Sequence, residues 1–449
     1  MSDDTSHRPV LGRAKAGLLL LVGMVIGALL TALVPVVGRR LQDQPPQLLI
    51  ASGVEEGQAD ARQALVDLWN ESHRGKRAAI VNVRGSADEQ LSTMERYARG
   101  EEPVKVDVVN LDLTAIAQFA EFGYITEWPA SDVPEALLAQ FLEGPRLSCY
   151  YEEKLWALPL NTDAGVLFSR RSLLAQPATK TPAAYAWKDI AAVGKNLPRK
   201  SSGAKAAYAG QLDDYEGLTV NALEAIWAVE QEMAQAGKPP APSPPLGVPT
   251  DPAVWKAAVD RLYGPPGQGT VVDPGSRKYR ERDTTARFLQ DKIVFMRNWP
   301  VEFRALLDGS DQRNTIAAAD IAMTGLPGPA VLGGQNLAVV KGSARAADAR
   351  ELIEFLASEP SQRLLMQVGG FAAATTSTYD RVEIQQAHPY AKTVQAAVLK
   401  SRQRPQTPYY PQFSEAVREL VQEIRNKGKV PPDLAQRLTN AAQGRLTPR

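Results

Sequence analysis

The sequence predicts an α/β protein whose open, mainly parallel sheets are flanked by helices. Three observations carry that expectation. From residue 48 onward, short apolar runs alternate with segments of helical periodicity. The first three runs are each followed by a polar loop, placed where an open parallel sheet would hold a ligand. The length, 449 residues, exceeds one ordinary domain and suggests two or three units, each able to bury a core.

Before the alternation begins, Ala16 to Val37 is almost unbroken in apolar character. About 22 residues at about 1.5 Å rise each span a bilayer core of about 30 Å. This segment reads as a transmembrane signal anchor, with residues 1–15 as a cytosolic tail, residues 38–47 as a linker, and the bulk of the chain outside. Arg8, Arg13 and Lys15 before it and Arg39-Arg40 after it give only a slight charge asymmetry. A cleaved signal peptide is the alternative, although its apolar region is typically only about 7–15 residues long. No cysteine follows the segment until Cys149, so a lipid anchor is not expected.

Leu48-Leu49-Ile50-Ala51 reads as a buried strand, and Ala61, Ala64, Leu65, Leu68 and Trp69 recur at helical spacing within residues 59–71. Ala79 to Val83 is a second strand, Ser86 to Arg99 a helix with Leu91, Met94 and Ala98 inward, Val104 to Val109 a third strand, and Leu113 to Phe122 a helix. Right-handed crossovers turn such a βαβαβα run into a parallel sheet with helices on both faces. Its strand-end loops are Ser52 to Glu56, Arg84-Gly85-Ser86 and Asn110-Leu111-Asp112. Carboxylates in two separate loops would converge on one rim, which makes Glu56 and Asp112 candidate contacts; Ser86 is as well explained as a helix N-cap.

The rest of the chain repeats the style. Leu155 to Leu160 approaches Asn161-Thr162-Asp163, and Gly165 to Phe168 leaves it as a strand into a helix at Arg170 to Leu174. Thr181-Pro182 opens a helix through Asn196, with Thr as cap and Pro in the first turn. Residues 206–212 read as a strand, Gly217 to Ala236 as a long helix and 238–252 as a stiff, proline-rich loop before helices resume at Ala253. Arg277 to Gln290 is expected to be helical. Lys292 to Arg297, Ile321 to Met323 and Asn336 to Val340 are expected to be strands. Ala344 to Gln367 reads as mostly helix, and helices near Ser414 to Asn426 and Pro432 to Gln443 close the chain.

Composition excludes several functions. With 51 basic and 50 acidic residues the formal net charge is +1, which offers no global attraction for nucleic acid and points to a small, largely uncharged ligand. A single cysteine rules out an internal disulfide framework and offers no zinc cluster. His7, His73 and His388 are too dispersed for a metal triad of the H-E-x-x-H type, and Gly264 to Gly269 lacks the Lys-Ser/Thr ending of a phosphate loop. Neither a cofactor nor a metal is expected. Paired acids such as Glu55-Glu56 or Asp213-Asp214 could serve a glycosidase, but adjacent acids are ordinarily a solvated surface.

Several segments share an order and spacing: Ala51 to Gly57, Val106 to Asp112, Ala157 to Phe168, Tyr215 to Thr219, Arg297-Asn298-Trp299-Pro300, Leu332-Gly333-Gly334, and Arg404-Pro405 with Pro408-Tyr409-Tyr410. Together they resemble the sugar-binding branch of the family 1 extracellular solute-binding proteins, the maltose- and trehalose-type receptors of ABC importers, from about residue 47 to the end. The chain departs from that pattern at Gly369 to Thr375, at the 238–252 loop, at Ser169, at Leu113-Thr114 after Asp112, and in lacking a lipid-anchor cysteine.

The resemblance implies a two-lobed, type II periplasmic-binding-protein-like fold. Residues 48–162 and 332–385 would form the first lobe and residues 163–331 and 386–449 the second, with crossings near Asn161 to Ala164 and Leu332 to Gly334. It also implies a ligand cleft. Glu56, Asp112 and Asp163 would accept hydroxyl hydrogen bonds, Tyr215 and Trp299 would stack on sugar faces, and Arg404 would donate to a ring or hydroxyl oxygen. Gly333 and Gly334 would let backbone approach the ligand. Plainer readings stand beside these: Trp299 or Tyr215 as core aromatics, and Gly333-Gly334 as a tight turn. The implied partners are a small solute, a sugar above all, and the permease subunits of an ABC importer, with the receptor monomeric and tethered to the plasma membrane. A membrane-tethered, ligand-dependent sensor or scaffold is the rival use of the same cleft.

Overall fold

β1 (Leu48–Gly53) is buried along nearly its whole length, as a strand with neighbours on both sides and helices over it must be. The computed structural model describes residues 47–54, 60–129, 132–174, 184–197, 204–238, 246–264, 270–308 and 316–445. The expected anchor at 16–37, its flanks through residue 46, and Glu56 lie outside the described residues. Among the described residues, no helix is long and apolar enough to cross a membrane.

β1 pairs in parallel with β2 (Ala78–Val83) and β3 (Val108–Asp112). Between them run α1 (Ala61–Ser72), which buries Leu65, Val66 and Trp69, and α2 (Ala87–Ala98), which buries Met94. β3 starts four residues later than its apolar pattern suggests, because Val104 is exposed. A 3-10 turn leads from β3 into α3 (Ile116–Glu121). After a small hairpin, β4 (Tyr150–Tyr151) and β5 (Lys154–Leu155), the chain enters β6 (Leu158–Ala164).

Past Gly165 the chain changes sheets. β7 (Val166–Arg170) joins β8 (Ala206–Ala209), β9 (Ile293–Asn298) and β10 (Ile321–Gly325), while β11 (Leu332–Val339) returns to the first sheet. The strand orders are β2-β1-β3-β11-β6 and β10-β7-β9-β8. This two-sheet arrangement is a two-lobed α/β fold.

The expectation of mainly parallel sheets is corrected at the pairings. Most strands end at the space between the lobes, but β7 and β11 each follow a crossing and so begin there. Each therefore runs against its neighbours, and each lies inside its sheet, so both of its pairings are antiparallel. β8 with β9 and β1 with its two neighbours remain parallel.

Helices shift at their ends for local reasons. α4 (Trp187–Asn196) starts later than the helix expected from Thr181, because Ala184 bridges Gly325 as a strand residue and Ala186 is extended, its amide donating to Asp189 Oδ2 at 3.1 Å; only a 3-10 turn, Arg171–Leu173, stands where a helix at Arg170 to Leu174 was expected. α5 (Glu216–Gln235) is buried on all sides from Gly217 to Val229, as a helix apolar all round should be. α6 (Pro252–Tyr263) begins on an Asp251 cap with Pro in its first turn. α7 (Glu281–Leu289) starts later than Arg277 because Asp273 caps a separate 3-10 turn, Pro274–Lys278. α8 (Ala346–Ala357) ends where Ser358 turns extended ahead of Glu359-Pro360, which divides the helical stretch expected through Gln367. α9 (Ala391–Lys400), α10 (Tyr410–Lys427) and α11 (Leu434–Ala442) follow, and α5, α6, α10 and α11 share one apolar core beside the second sheet.

Candidate functional site

Between the sheets lies a cleft of about 680 Å3. Of the eight residues singled out from sequence, seven line it: Asp112, Asp163, Tyr215, Trp299, Gly333, Gly334 and Arg404. Glu56 belongs to the residues not described.

Asp112 ends β3 and is half-exposed. Its Oδ1 accepts from the Thr114 amide (3.0 Å) and hydroxyl (2.8 Å), capping the turn that follows, and also from Arg404 Nη2 at 3.0 Å. Ser86 is a helix cap as well as a cleft residue: its side chain accepts from the Glu89 amide, and Glu89 accepts from the Ser86 amide at 2.7 Å.

Asp163 lies in β6 opposite Gly333 of β11, and its Oδ1 accepts from the Ala164 amide at 2.9 Å. Gly333 and Gly334 are part of a strand and not a tight turn. A Cβ on Gly333 would stand 3.2 Å from both Asp163 Cβ and Trp299 Cζ3, and Gly334 has φ +125 with Asn161 O only 2.6 Å from where its Cβ would be. Glycine is therefore needed at Gly334, whereas a side chain at Gly333 would be tight against Asp163 and the Trp299 ring.

Trp299 follows β9 and is half-buried, with the Arg297 guanidinium 4.0 Å from its ring centroid. Tyr215 precedes α5 and is 6% exposed; its hydroxyl donates to Glu281 Oε2 at 2.8 Å, and Arg280 lies 4.9 Å from its ring centroid. Burial first, then the Glu281 carboxylate, push the Tyr215 hydroxyl pKa well up, so the group stays a donor. Being 6% exposed, Tyr215 presents less ring to the cleft than the half-buried Trp299 does.

Arg404 is the largest surprise. Its side chain is 2% exposed and is bonded within the protein: Nη1 donates to Glu216 Oε1 (2.8 Å) and Nη2 to Asp112. Glu216 also accepts from the Tyr410 hydroxyl (2.5 Å) and the Ser414 hydroxyl (2.6 Å). Burial raises the Glu216 pKa, while Arg404, Ser414 and Tyr410 pull it down. The bridge thus joins the end of β3 to α5 and separates the cleft from a second chamber of about 630 Å3 between α2 and α10.

Sequence reasoning missed Glu216, Gln335, Phe371 and the arginines Arg62 and Arg280, which also line the cleft. Glu216 follows Tyr215 directly and is an acid in the first turn of a long helix, a position that could have marked it. Arg62 donates to the Ser52 hydroxyl and Gly53 carbonyl, both at 3.2 Å, and to Gln335 Oε1. Among the described residues no three His, Cys, Asp or Glu side chains are grouped to hold a metal ion. The arrangement offers carboxylates that accept hydroxyl hydrogens beside a flat indole, and many of the cleft's charges are already paired within the protein.

The profile of the family described as bacterial extracellular solute-binding protein matches residues 64–393. A Deinococcus radiodurans protein described as "Probable ABC transporter-binding protein" is 28% identical over 291 residues, covering 62% of this chain and 66%, just under two thirds, of that relative. Maltose-bound MalE3 of T. maritima superposes with a TM-score of 0.72 at 22% identity, covering 88% of this chain and 98% of that one. The GacH receptor of Streptomyces glaucescens, studied unliganded and with acarbose, gives 0.71 at 18% identity, covering 88% and 97%. UgpB of Mycobacterium tuberculosis in complex with glycerophosphocholine gives 0.69 at 15%, covering 89% and 97%.

Proposed function

This chain belongs to the bacterial extracellular solute-binding proteins, a family of binding proteins and not of enzymes, and we propose that it captures a sugar or similar polyol and delivers it to an ABC importer. The observation that carries the reading is the meeting of Asp112, Asp163 and Trp299 in one cleft from three separate parts of the chain. A sugar needs that combination: oxygens that accept from its hydroxyls and an aromatic face for its C–H surface. The nearly balanced formal charge of the chain, +1, agrees with an uncharged solute. Maltose and acarbose, bound by two structural relatives, are natural first probes.

In this reading residues 48–162 and 332–385 form one lobe, 163–331 and 386–449 the other, and the lobes close on the solute by a hinge at the two crossings. Residues 16–37 tether the monomeric receptor to the membrane, with the cleft on the extracytoplasmic side and permease subunits as its partners. The test is thermal melting of the full chain against maltose, acarbose, a panel of mono-, di- and trisaccharides, and glycerophosphocholine. A true ligand at 100 times its dissociation constant stabilises the folded state by about 2.7 kcal/mol. A shift by glycerophosphocholine with none from any saccharide would reject the sugar and keep the receptor.

A further inference from the structure

Beneath the cleft lies a buried pair whose partners, Arg297 and Glu224, the sequence does not bring together. Arg297, in β9, donates from Nε to Glu224 Oε2 (2.9 Å) and from Nη2 to Glu224 Oε1 (2.7 Å), and the two side chains are 1% and 8% exposed. Two parallel bonds fix a guanidinium plane more firmly than a single contact does. The pair touches both connections between the sheets. Glu224 Oε1 accepts from the Val331 amide at 3.2 Å, one residue before β11. On the other connection, a Cβ at Gly165 would stand 2.4 Å from Glu224 Oε1 and 2.8 Å from Arg297 Nη2.

The guanidinium so held lies 4.0 Å from the Trp299 ring centroid. The Trp299 amide is bonded to Asn298 Oδ1 at 2.9 Å, and the ring edge lies against Gly333. A fixed planar cation on one face sets the ring's orientation and leaves the opposite face for a ligand. A buried ion pair is weak evidence for stability in its own right, so its use here is better sought in geometry.

We propose that Glu224 and Arg297 are positioning residues that hold Trp299 in the orientation a ligand stacks on, and tie that orientation to the two interlobe connections. The inference rests on Trp299 being the ligand's platform, so its test includes an arm that needs no ligand. In the full chain, which has seven tryptophans, the emission of Trp299 is isolated by subtracting the spectrum of the Trp299→Phe variant in each background. The double variant Glu224→Met/Arg297→Met removes both charges together and leaves no lone buried charge. It is expected to melt cooperatively while Trp299 emission shifts and its quenching by acrylamide increases. Maltose affinity, where the parent binds maltose, is expected to fall about tenfold, the upper range for a lost aromatic contact.

A folded double variant with unchanged Trp299 emission overturns the proposal, since a merely structural pair would change melting alone. A shifted emission with unchanged maltose affinity overturns the link to binding. If the double variant does not fold, Arg297→Lys decides in the same way, because lysine keeps the charge but cannot make both bonds or lie flat on the ring. A parent that binds no saccharide condemns the sugar reading and leaves the emission arm to judge this one.

Discussion

The bridge from Asp112 through Arg404 to Glu216 makes a sharp prediction because its two ends differ in burial. Arg404 is 2% exposed and Glu216 14%, whereas Asp112 is 50% exposed. Replacing Arg404 by Met keeps much of the side-chain bulk but strands Glu216 without its cation. Breaking a buried pair from one side costs about 3–5 kcal/mol. The Tyr410 and Ser414 hydroxyls still donate to Glu216, which argues for the lower end. At roughly 2–4 °C per kcal/mol for domains of this size, about 3 kcal/mol lowers Tm by roughly 6–12 °C. Asp112→Asn behaves differently. The amide oxygen can still cap Thr114, and the lost ion pair is half-exposed and screened, so the cost is about 1 kcal/mol or less and at most roughly 4 °C. The assay is calorimetric melting of the two full-length variants beside the parent. Equal losses, or a larger loss for Asp112→Asn, would refute the reasoning that burial makes the Glu216 end of the bridge the costlier one to break.

Trp299→Ala is expected to weaken binding of a verified saccharide by about 2 kcal/mol, roughly thirtyfold in Kd, by titration calorimetry; an unchanged constant removes Trp299 from the site. Gly334→Ala combines a left-handed φ of +125 with a clash against Asn161 O, whereas Gly342→Ala, at φ +84, meets no atom within 4 Å. Melting should therefore show a loss of about 1–3 kcal/mol or more for Gly334→Ala and a smaller one for Gly342→Ala. His388 is kept below its usual pKa of 6.5 by burial, with the Gln367 carbonyl opposing. Between the unfolded and the depressed folded pKa the unfolded chain binds more protons, so the contribution is complete above about pH 6.5 and is lost as pH falls through the folded value. His388→Gln should flatten that part of the Tm-against-pH curve, and an identical slope in both proteins would dismiss it.

The βαβαβα run from Leu48 to Glu121 could be read because its strands and helices differ in apolar period, and the period is a local property. Strand direction is not. The apolar pattern of β11 or β7 is the same whichever way it runs, so only the side from which the chain re-enters decides that both pair antiparallel. Ends were blurred for related reasons: Val104 looks like a strand residue until its exposure is known, and Ser358 breaks a continuous helical pattern by a single dihedral. At the site, Asp112, Trp299 and Arg404 were found through the spacing of weak motifs. The partners that hold them were not. Arg297 and Glu224 are separated by 73 positions, and Arg404 and Asp112 by 292, distances over which one sequence carries no pairing signal.

The hinge closure proposed above need not be driven by the contacts that recognise the solute. Between the two walls, Asp112 meets Arg404 at 3.0 Å beside the cleft and Asp88 meets Arg418 at 4.0 Å in the second chamber. Glu89, held below its usual pKa first by Ser86, is also drawn down by Arg280 from the opposite wall. In each pair the acid comes from the β1–β3 side and the arginine from the other. Pairs whose carboxylate is half-exposed, as Asp112 and Asp88 are, are worth about 1 kcal/mol or less and are screened over about 8 Å at physiological salt. They bias the approach of the walls without locking them. The decisive term must then be a solute that touches both walls at once, because a ligand with equal affinity for the open and closed states moves neither. Asp112 stands at the end of β3 on one wall, Trp299 follows β9 on the other, and Asp163 sits at the crossing from β6 to β7 between them. A molecule with hydroxyls along one edge and an apolar face on the other engages both only when they shut, and a solute that satisfied the acids alone would bind without closing the cleft.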